Sequence, residues 1–373
     1  MVRMVTGLPL LLALAMTSFA QSKPSPAVLS DEEIRKILVE RIDAQHQSVG
    51  IVVGVITPEG RHTVAYGRLA QGDPRTLNGD TIFEIGSATK VFTSLLLADM
   101  VQHSQAALDD PVAKYLPKTA KVPERNGRSI TLVDLATHTS GLPRLPGNMT
   151  PKDPGNPYAD YTVDQLYQFL SSYQLNRDIG SQYEYSNLGG GLLGHVLALR
   201  AGTDYESLVT ARICAPLEMK STRITLKPEM KARLAVGHNA AMEPVENWDI
   251  PTLAGAGALR STANDLLNFL AANLGYSKSP LAPAMAAMLK TRRPTGRPDL
   301  EIALGWHILT GNGKEIVWHN GGTAGYRTFI GYDAKARIGV AVLSNAGTAA
   351  GPDDIGRHLL DPARPLLGGT PRP

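Results

Sequence analysis

The chain has a single cysteine, Cys214, among its 373 residues. One thiol forms no intramolecular disulfide and no cysteine-based metal cluster. Its neighbours Ile213, Pro216 and Leu217 suit a packed side chain rather than a nucleophile. Charge of either sign is sparse: 37 Lys and Arg against 34 Asp and Glu leave a net +3, scattered along the chain. There is no dense basic run with interleaved aromatics, so nucleic acid is not an expected partner. Beyond the first twenty residues no run of 18 apolar residues occurs, which argues against a helical span in the mature protein. A Gly-x-Ser-x-Gly elbow is missing, which argues against an α/β-hydrolase. Gly255-Ala256-Gly257 lacks the third glycine of a dinucleotide loop. No pair of histidines has zinc-ligand spacing with a third ligand nearby. His46, His62, His103, His195, His238, His307 and His358 therefore read as surface or core residues. No metal or organic cofactor is expected.

What is present begins with a leader. Arg3 precedes the apolar stretch Leu8 to Met16 and the small-x-small end Ser18-Phe19-Ala20, the pattern of a secretory signal peptide cleaved after Ala20. A secreted or periplasmic protein follows from it. Apolar residues make up 43% of the chain, enough for a sizeable core, and the length suits one large or two interleaved domains. Ser30 caps a predicted helix over 31–46. Val49 to Thr57, a turn at Pro58-Glu59-Gly60, and Thr63 to Tyr66 form a β-hairpin pattern. The other chain end mirrors it, with strands predicted over Ile302 to Leu309, Glu315 to His319, Tyr326 to Tyr332 and Ile338 to Leu343. Between them the spacing predicts helices over 88–101, 131–138, 163–172, 188–200, 204–214, 262–274 and 281–290. The expected class is α/β in the α+β sense: one antiparallel sheet built from both chain ends, flanked by helices, with a mostly helical domain inserted. The boundaries are a signal peptide 1–20, a discontinuous sheet domain 30–85 and 298–366, and a helical domain 86–297, the active site lying at their interface.

Three short motifs carry chemistry. Ser87-Ala88-Thr89-Lys90, the one Ser-x-x-Lys in the chain, sits where the strand-like 81–86 meets an apolar helix. Positions i and i+3 share a helix face, so Lys90 lies beside Ser87. A serine hydroxyl needs an adjacent base, and a lysine serves if burial lowers its pKa. The bland reading is a capping serine with a chance lysine. Tyr185-Ser186-Asn187 follows a polar loop and precedes a helix. A tyrosine shuttles a proton if cations depress its pKa, and an asparagine binds a substrate amide; alone, the tripeptide is more often a capped loop. His319-Asn320-Gly321-Gly322 ends a strand. Its glycines admit a substrate backbone and a free N–H for an oxyanion; alone, it is a hairpin turn. His138 either buttresses the site through its loop or is structural.

The order of these three motifs resembles the serine penicillin-recognising enzymes, whose class A members carry Ser-x-x-Lys, Ser-Asp-Asn and Lys-Thr-Gly. Tyr185-Ser186-Asn187 at the second position is similar to the class C β-lactamase, D-Ala-D-Ala carboxypeptidase and family VIII esterase branch. Leu108-Asp109-Asp110-Pro111-Val112, Leu135-Ala136-Thr137-His138-Thr139-Ser140-Gly141-Leu142-Pro143, Ala215-Pro216-Leu217-Glu218-Met219, Gly257-Ala258-Leu259-Arg260-Ser261-Thr262 and Leu343-Ser344-Asn345 extend the likeness from about residue 30 to 360. The resemblance implies an acyl-enzyme on Ser87, with Lys90 and Tyr185 taking its proton. The N–H groups of Ser87 and Gly322 would hold the oxyanion. Asn187, His319, Gly321 and Gly322 would contact substrate. It implies a small-molecule partner: a β-lactam, a peptidoglycan stem peptide or an ester. A monomer is expected, without a stable membrane span after signal cleavage. A carboxylesterase of the same fold, and a non-catalytic peptidoglycan- or penicillin-binding module, stay open as alternatives. Two departures bear on substrate. Class C enzymes usually carry Lys-Thr-Gly where this chain has His319-Asn320-Gly321, and the family's substrate-amide glutamine is not evident near Leu145. Modest β-lactam turnover is therefore expected. A histidine with an ordinary pKa near 6.5 would also make attraction for anionic substrates grow as pH falls from about 8 to 6.

Overall fold

The computed structural model describes residues 1, 2, 4 and 29–367. The leader's apolar stretch and its cleavage point lie outside them. The first helix, α1 (Asp31–Val39), starts at a capping box: Glu33 N–H donates to Ser30 Oγ at 3.3 Å and Ser30 N–H to Glu33 Oε2 at 2.8 Å. The chain then forms β1 (Gly50–Thr57) and β2 (Gly60–Gly67). A short β3 (Ile82–Glu84) pairs with β4 (Arg260–Thr262) far along the chain. The helices between and after them are α2 (Thr89–Gln102), α3 (Leu132–Ala136), α4 (Val163–Ser172), α5 (Asn187–Ala201), α6 (Tyr205–Val209), α7 (Ala263–Asn273) and α8 (Ala282–Met288). The second half of the sheet is β5 (Arg293–Pro294), β6 (Leu300–Ile302), β7 (His307–Gly311), β8 (Lys314–Gly322), β9 (Arg327–Asp333) and β10 (Ile338–Ser344), followed by α9 (Asp353–Leu360).

Both chain ends meet in one eight-stranded sheet of order β2-β1-β10-β9-β8-β7-β6-β5. Every neighbouring pair in it is antiparallel. β1 and β10 read as unbroken apolar runs because both faces are covered. Ile51, Val53, Val55, Val340 and Val342 pack with Ile34 and Leu38 of α1 and Ile355 and Leu359 of α9. Val52, Ile56, Ala341 and Leu343 belong instead to the larger core, with Leu267 and Leu270 of α7 and the whole of the helical body. This period-two split fixes the register.

Two details differ from the sequence expectation. Ile302 to Leu309 is two strands, β6 and β7, joined by a turn in which Ala303 N–H donates to Trp306 O at 2.8 Å and Gly305 adopts φ +70°. The turn is buried: Leu304 is 1% exposed and Trp306 0%. The apolar pattern therefore runs through it without a break. Helix α9 was not anticipated, because it is eight residues long and mixes Asp353, Asp354, Arg357 and His358 with three aliphatic side chains.

Candidate active site

Strand β3 ends at Glu84, and a single 3-10 turn, Gly86–Ala88, turns the chain into α2. Ser87 sits on that turn, half-buried, with Lys90 one turn on. Helix α2 is buried on nearly all sides, so the Lys90 side-chain nitrogen lies inside the protein, 3% exposed. Its Nζ is 3.0 Å from Ser87 Oγ, 2.9 Å from Asn187 Oδ1 and 2.7 Å from Ala256 O. Burial, with the charge of Arg144 adding to it, holds Lys90 well below the usual lysine value. A neutral amine has two hydrogens and one lone pair. Asn187 Oδ1 and Ala256 O only accept, so in the neutral form of Lys90 they take both hydrogens, and the lone pair faces the Ser87 hydroxyl.

Tyr185 and Asn187 arrive on the loop that opens α5. Ser186, not Asn187, caps that helix, accepting from Gly189 N–H at 2.8 Å. The Asn187 side chain is thereby left to accept from Lys90 and to donate through Nδ2 to Tyr158 Oη at 3.3 Å. His138 lies beneath the tripeptide. Its Nδ1 accepts from Ser186 N–H at 3.1 Å, which fixes a neutral imidazole protonated at Nε2, and its ring centroid is 4.5 Å from that of Tyr185. His138 is thus a buttress under the motif. The Tyr185 ring lies 4.9 Å from Lys90 Nζ, and, against the upward push of burial, the Ser87 hydroxyl draws its phenol pKa down in part.

The third motif closes the site through backbone. The end of β8 presses on the Ile85–Ser87 turn so tightly that only glycine fits. Gly86 has φ +49°, and a Cβ there would stand 2.6 Å from Gly322 N. A Cβ on Gly321 would stand 1.9 Å from Ile85 O and 3.1 Å from Ser87 N. Neither neighbour is a side chain that can swing away. Gly321→Ala is therefore expected to cost on the order of 3 kcal/mol or more and to slow covalent labelling of the protein. A thermal melt and a labelling time course matching wild type would sink this account of the junction.

The family model Beta-lactamase matches residues 36–363. The chain belongs to the beta-lactamase family. It is 31% identical to the D-alanyl-D-alanine-carboxypeptidase/endopeptidase AmpH of Escherichia coli K12 over 383 residues, covering 97% of this chain and 96% of that one. A beta-lactamase/D-alanine carboxypeptidase from Yersinia pestis, in complex with citrate, superposes with a TM-score of 0.76 at 25% identity, over 90% of this chain and 97% of that chain. A class C beta-lactamase from Rhodobacter sphaeroides gives 0.73 at 26% identity, over 84% and 94%. The protein is accordingly a serine hydrolase with the class C beta-lactamase fold. Among the described residues, no helix is long and apolar enough to cross a membrane.

Within this family member, three expectations about charge and partners change. Tyr185 does not have a depressed pKa: burial pushes its phenol up, and the nearby Arg144 offsets only part of that. His319 is 0% exposed, and burial together with the charges of His307 and Lys90 holds it well below its ordinary value. That shift disfavours the charged imidazole, against the expectation of a histidine whose attraction for anions grows as pH falls. Its Nδ1–H donates to Asn320 O at 2.5 Å, while Nε2 has no partner among the described residues. His307 is no ordinary core residue either. It joins a cluster of rings, 5.1 Å from His319, with its Nε2 hydrogen-bonded to Tyr183 Oη at 3.0 Å. Burial and nearby cations hold it down to about 4.

Sequence reasoning missed the walls of the site. A pocket at Ser87 is lined by Tyr158, Trp248, Ile250, Ala256 and Gly257 along with Asn187 and Gly322. Tyr158 and Trp248 come from loops some ninety residues apart, with ring centroids 5.3 Å from each other. Trp248 Nε1–H donates to Gly155 O at 2.9 Å and Asp249 N–H to Asn156 Oδ1 at 2.8 Å, which ties the two loops. No local pattern marks residues that become a wall only through such a cross-tie.

Proposed function

We propose that the protein is an acyl-transferring peptidase of the D-Ala-D-Ala type, reacting through an acyl-enzyme on Ser87. The observation that carries this reading is the Lys90 amine, buried and 3.0 Å from Ser87 Oγ, with its other two neighbours able only to accept. Lys90 takes the Ser87 proton as Oγ attacks the substrate carbonyl. Tyr185, a neutral phenol, gives its proton to the leaving nitrogen, and the Lys90 ammonium returns one to the phenolate. Water then releases the acyl group by the reverse proton path. The N–H groups of Ser87 and Gly322, brought together at the glycine junction, hold the oxyanion. Asn187, already bonded to Lys90, orients the substrate amide, and the aromatic wall of Tyr158 and Trp248 packs against the acyl side.

The peptide reading rests on the full-length likeness to AmpH. A second reading, an esterase of the same mechanism, is favoured by the neutral His319, since esters without a carboxylate need no cation at that position. A panel of three substrates on pure protein tests both: an N-acyl D-Ala-D-Ala peptide, a chromogenic cephalosporin and a short p-nitrophenyl ester. The expected result is release of D-alanine with an acyl intermediate visible by intact mass. Ester cleavage without D-alanine release would move the assignment to the esterase. Export completes the proposal, with the mature chain expected to begin at Gln21 on N-terminal sequencing.

A further inference from the structure

The sequence expectation placed the substrate-facing charge on His319, and the structure makes that residue neutral and buried. A permanent cation stands elsewhere at the site. Arg144, exposed, lies on the segment Pro143-Arg144-Leu145-Pro146. Its guanidinium carbon is 5.2 Å from the centroid of the Tyr185 ring. Its backbone is pinned to the start of α5: Arg144 O accepts from Asn187 N–H at 3.0 Å and Leu188 N–H at 3.2 Å. The preceding carbonyl, Pro143 O, accepts from Ser186 Oγ at 2.6 Å. Two prolines and three hydrogen bonds thus hold this arginine beside the Tyr185 motif.

Among the described residues the Arg144 guanidinium makes no ion pair and no hydrogen bond. Most other arginines around the helical body are engaged: Arg177 with Glu184, Arg293 with Asp134, Arg260 with Glu84. The charge of Arg144 is felt instead by Lys90, His138, Tyr158, Tyr183 and Tyr185, all of them in or against the site. A planar fork of five donors without a protein acceptor suits a carboxylate in a bidentate grip. Its place beside Tyr185 also fixes the side of the substrate it meets. In the reaction above Tyr185 protonates the leaving group, so a cation on Tyr185 lies on the leaving-group side.

We infer that Arg144 is the specificity-determining residue that anchors a carboxylate on the leaving group, so that the preferred substrates are acyl donors whose leaving group is a C-terminal amino acid. The inference rests on the acyl-transfer reading for which side is which. It separates a free C-terminal residue, whose carboxylate sits next to the departing nitrogen, from internal peptide bonds and neutral esters. The selectivity comes from an ionic contact, so it weakens as salt screens it.

Two arms test it. The first is turnover of two aryl esters of one N-acylglycine whose leaving phenols differ only in a meta carboxylate or carboxamide. The ratio of their kcat/KM values is taken for wild type, Arg144→Gln and Arg144→Lys. Differences in intrinsic leaving-group reactivity cancel when proteins are compared. The wild-type ratio is expected to fall as ionic strength rises from about 0.05 to about 0.5 M. Arg144→Gln is expected to lower the low-salt ratio about 10-fold or more and to abolish its salt dependence, and Arg144→Lys to restore part of it. An unchanged ratio in Arg144→Gln overturns the inference, including the case where both activities drop together. The second arm needs no chemistry: in a Ser87→Ala background, calorimetry compares an N-acyl D-Ala-D-Ala peptide with its C-terminal amide. The amide should bind about 10-fold more weakly, and adding Arg144→Gln should erase that difference. Equal binding of peptide and amide overturns the carboxylate anchor whatever the turnover results. Absence of an acyl-enzyme on the wild-type protein would instead remove the acyl-transfer reading, and the binding arm would still decide the role of Arg144.

Discussion

Ser87→Ala is expected to lower turnover on the order of 10⁴-fold and to end covalent labelling by a β-lactam altogether. The reasoning is geometric. Ser87 Oγ is the hydroxyl to which Lys90, in its neutral form, turns its lone pair. It also stands on the turn against which the Gly321–Gly322 backbone packs. No neighbouring hydroxyl duplicates that position: Thr89 Oγ1 accepts from Leu259 N–H at 3.2 Å, and Thr93 Oγ1 is bonded to Gly255 O at 2.7 Å. The half-buried Ser87 loses a single oxygen in the variant, so the fold should be retained. Intact-mass spectrometry reads the label and a thermal melt the fold. A Ser87→Ala protein that still gains the mass of the β-lactam at the wild-type rate would refute the assignment.

The second large effect concerns Lys90 and Tyr185 as one proton-transfer unit. Lys90→Met and Tyr185→Phe are each expected to cost on the order of 100-fold or more in acylation, and the double variant far less than the product of the two. The structure gives the pair unequal parts. In the proposed mechanism Lys90, pushed down towards its neutral form, is the proton acceptor, whereas Tyr185, pushed up, keeps its proton until the leaving group needs it. The sign of the pH dependence follows. The working base is the unprotonated amine, so kcat/KM should rise with pH through the Lys90 value and level off far below 10.5, the ordinary lysine value. In Lys90→Met that rising limb should vanish, and in Tyr185→Phe it should persist at a lower plateau. Fully multiplicative losses, or a limb that survives removal of Lys90, would show that the two act separately. Lys90→Met also leaves Asn187 Oδ1 and Ala256 O without their donor, so a modest loss of melting temperature is expected beside the kinetic one.

Much of this was already decided in the amino-acid sequence. Strand period and helix period are local properties. The hairpin at the N-terminal end, the strands at the C-terminal end and most of the helices between them could be placed from apolar spacing alone. So could the adjacency of Ser87 and Lys90, because three residues on a helix bring two side chains together whatever the rest of the chain does. The order of the three motifs pointed to the family that the comparison then showed.

What the sequence could not decide is protonation, together with contacts between segments far apart in the chain. A pKa depends on how much water and which charges surround a group, and both are set by segments distant in sequence. His319 is held well below its ordinary value by its burial beside His307, and burial pushes the Tyr185 phenol up, with His138 packed against its ring. The buried turn at Leu304 hid from the apolar pattern for the same reason, since burial there is tertiary. Arg144 carried no motif at all. Its meaning comes from the fold, which pins its backbone to α5 and leaves its guanidinium beside the tyrosine with no ion pair among the described residues. Local periodicity thus determined the elements and the Ser87–Lys90 pair, and packing of distant segments determined which groups are charged and which side of the substrate they meet.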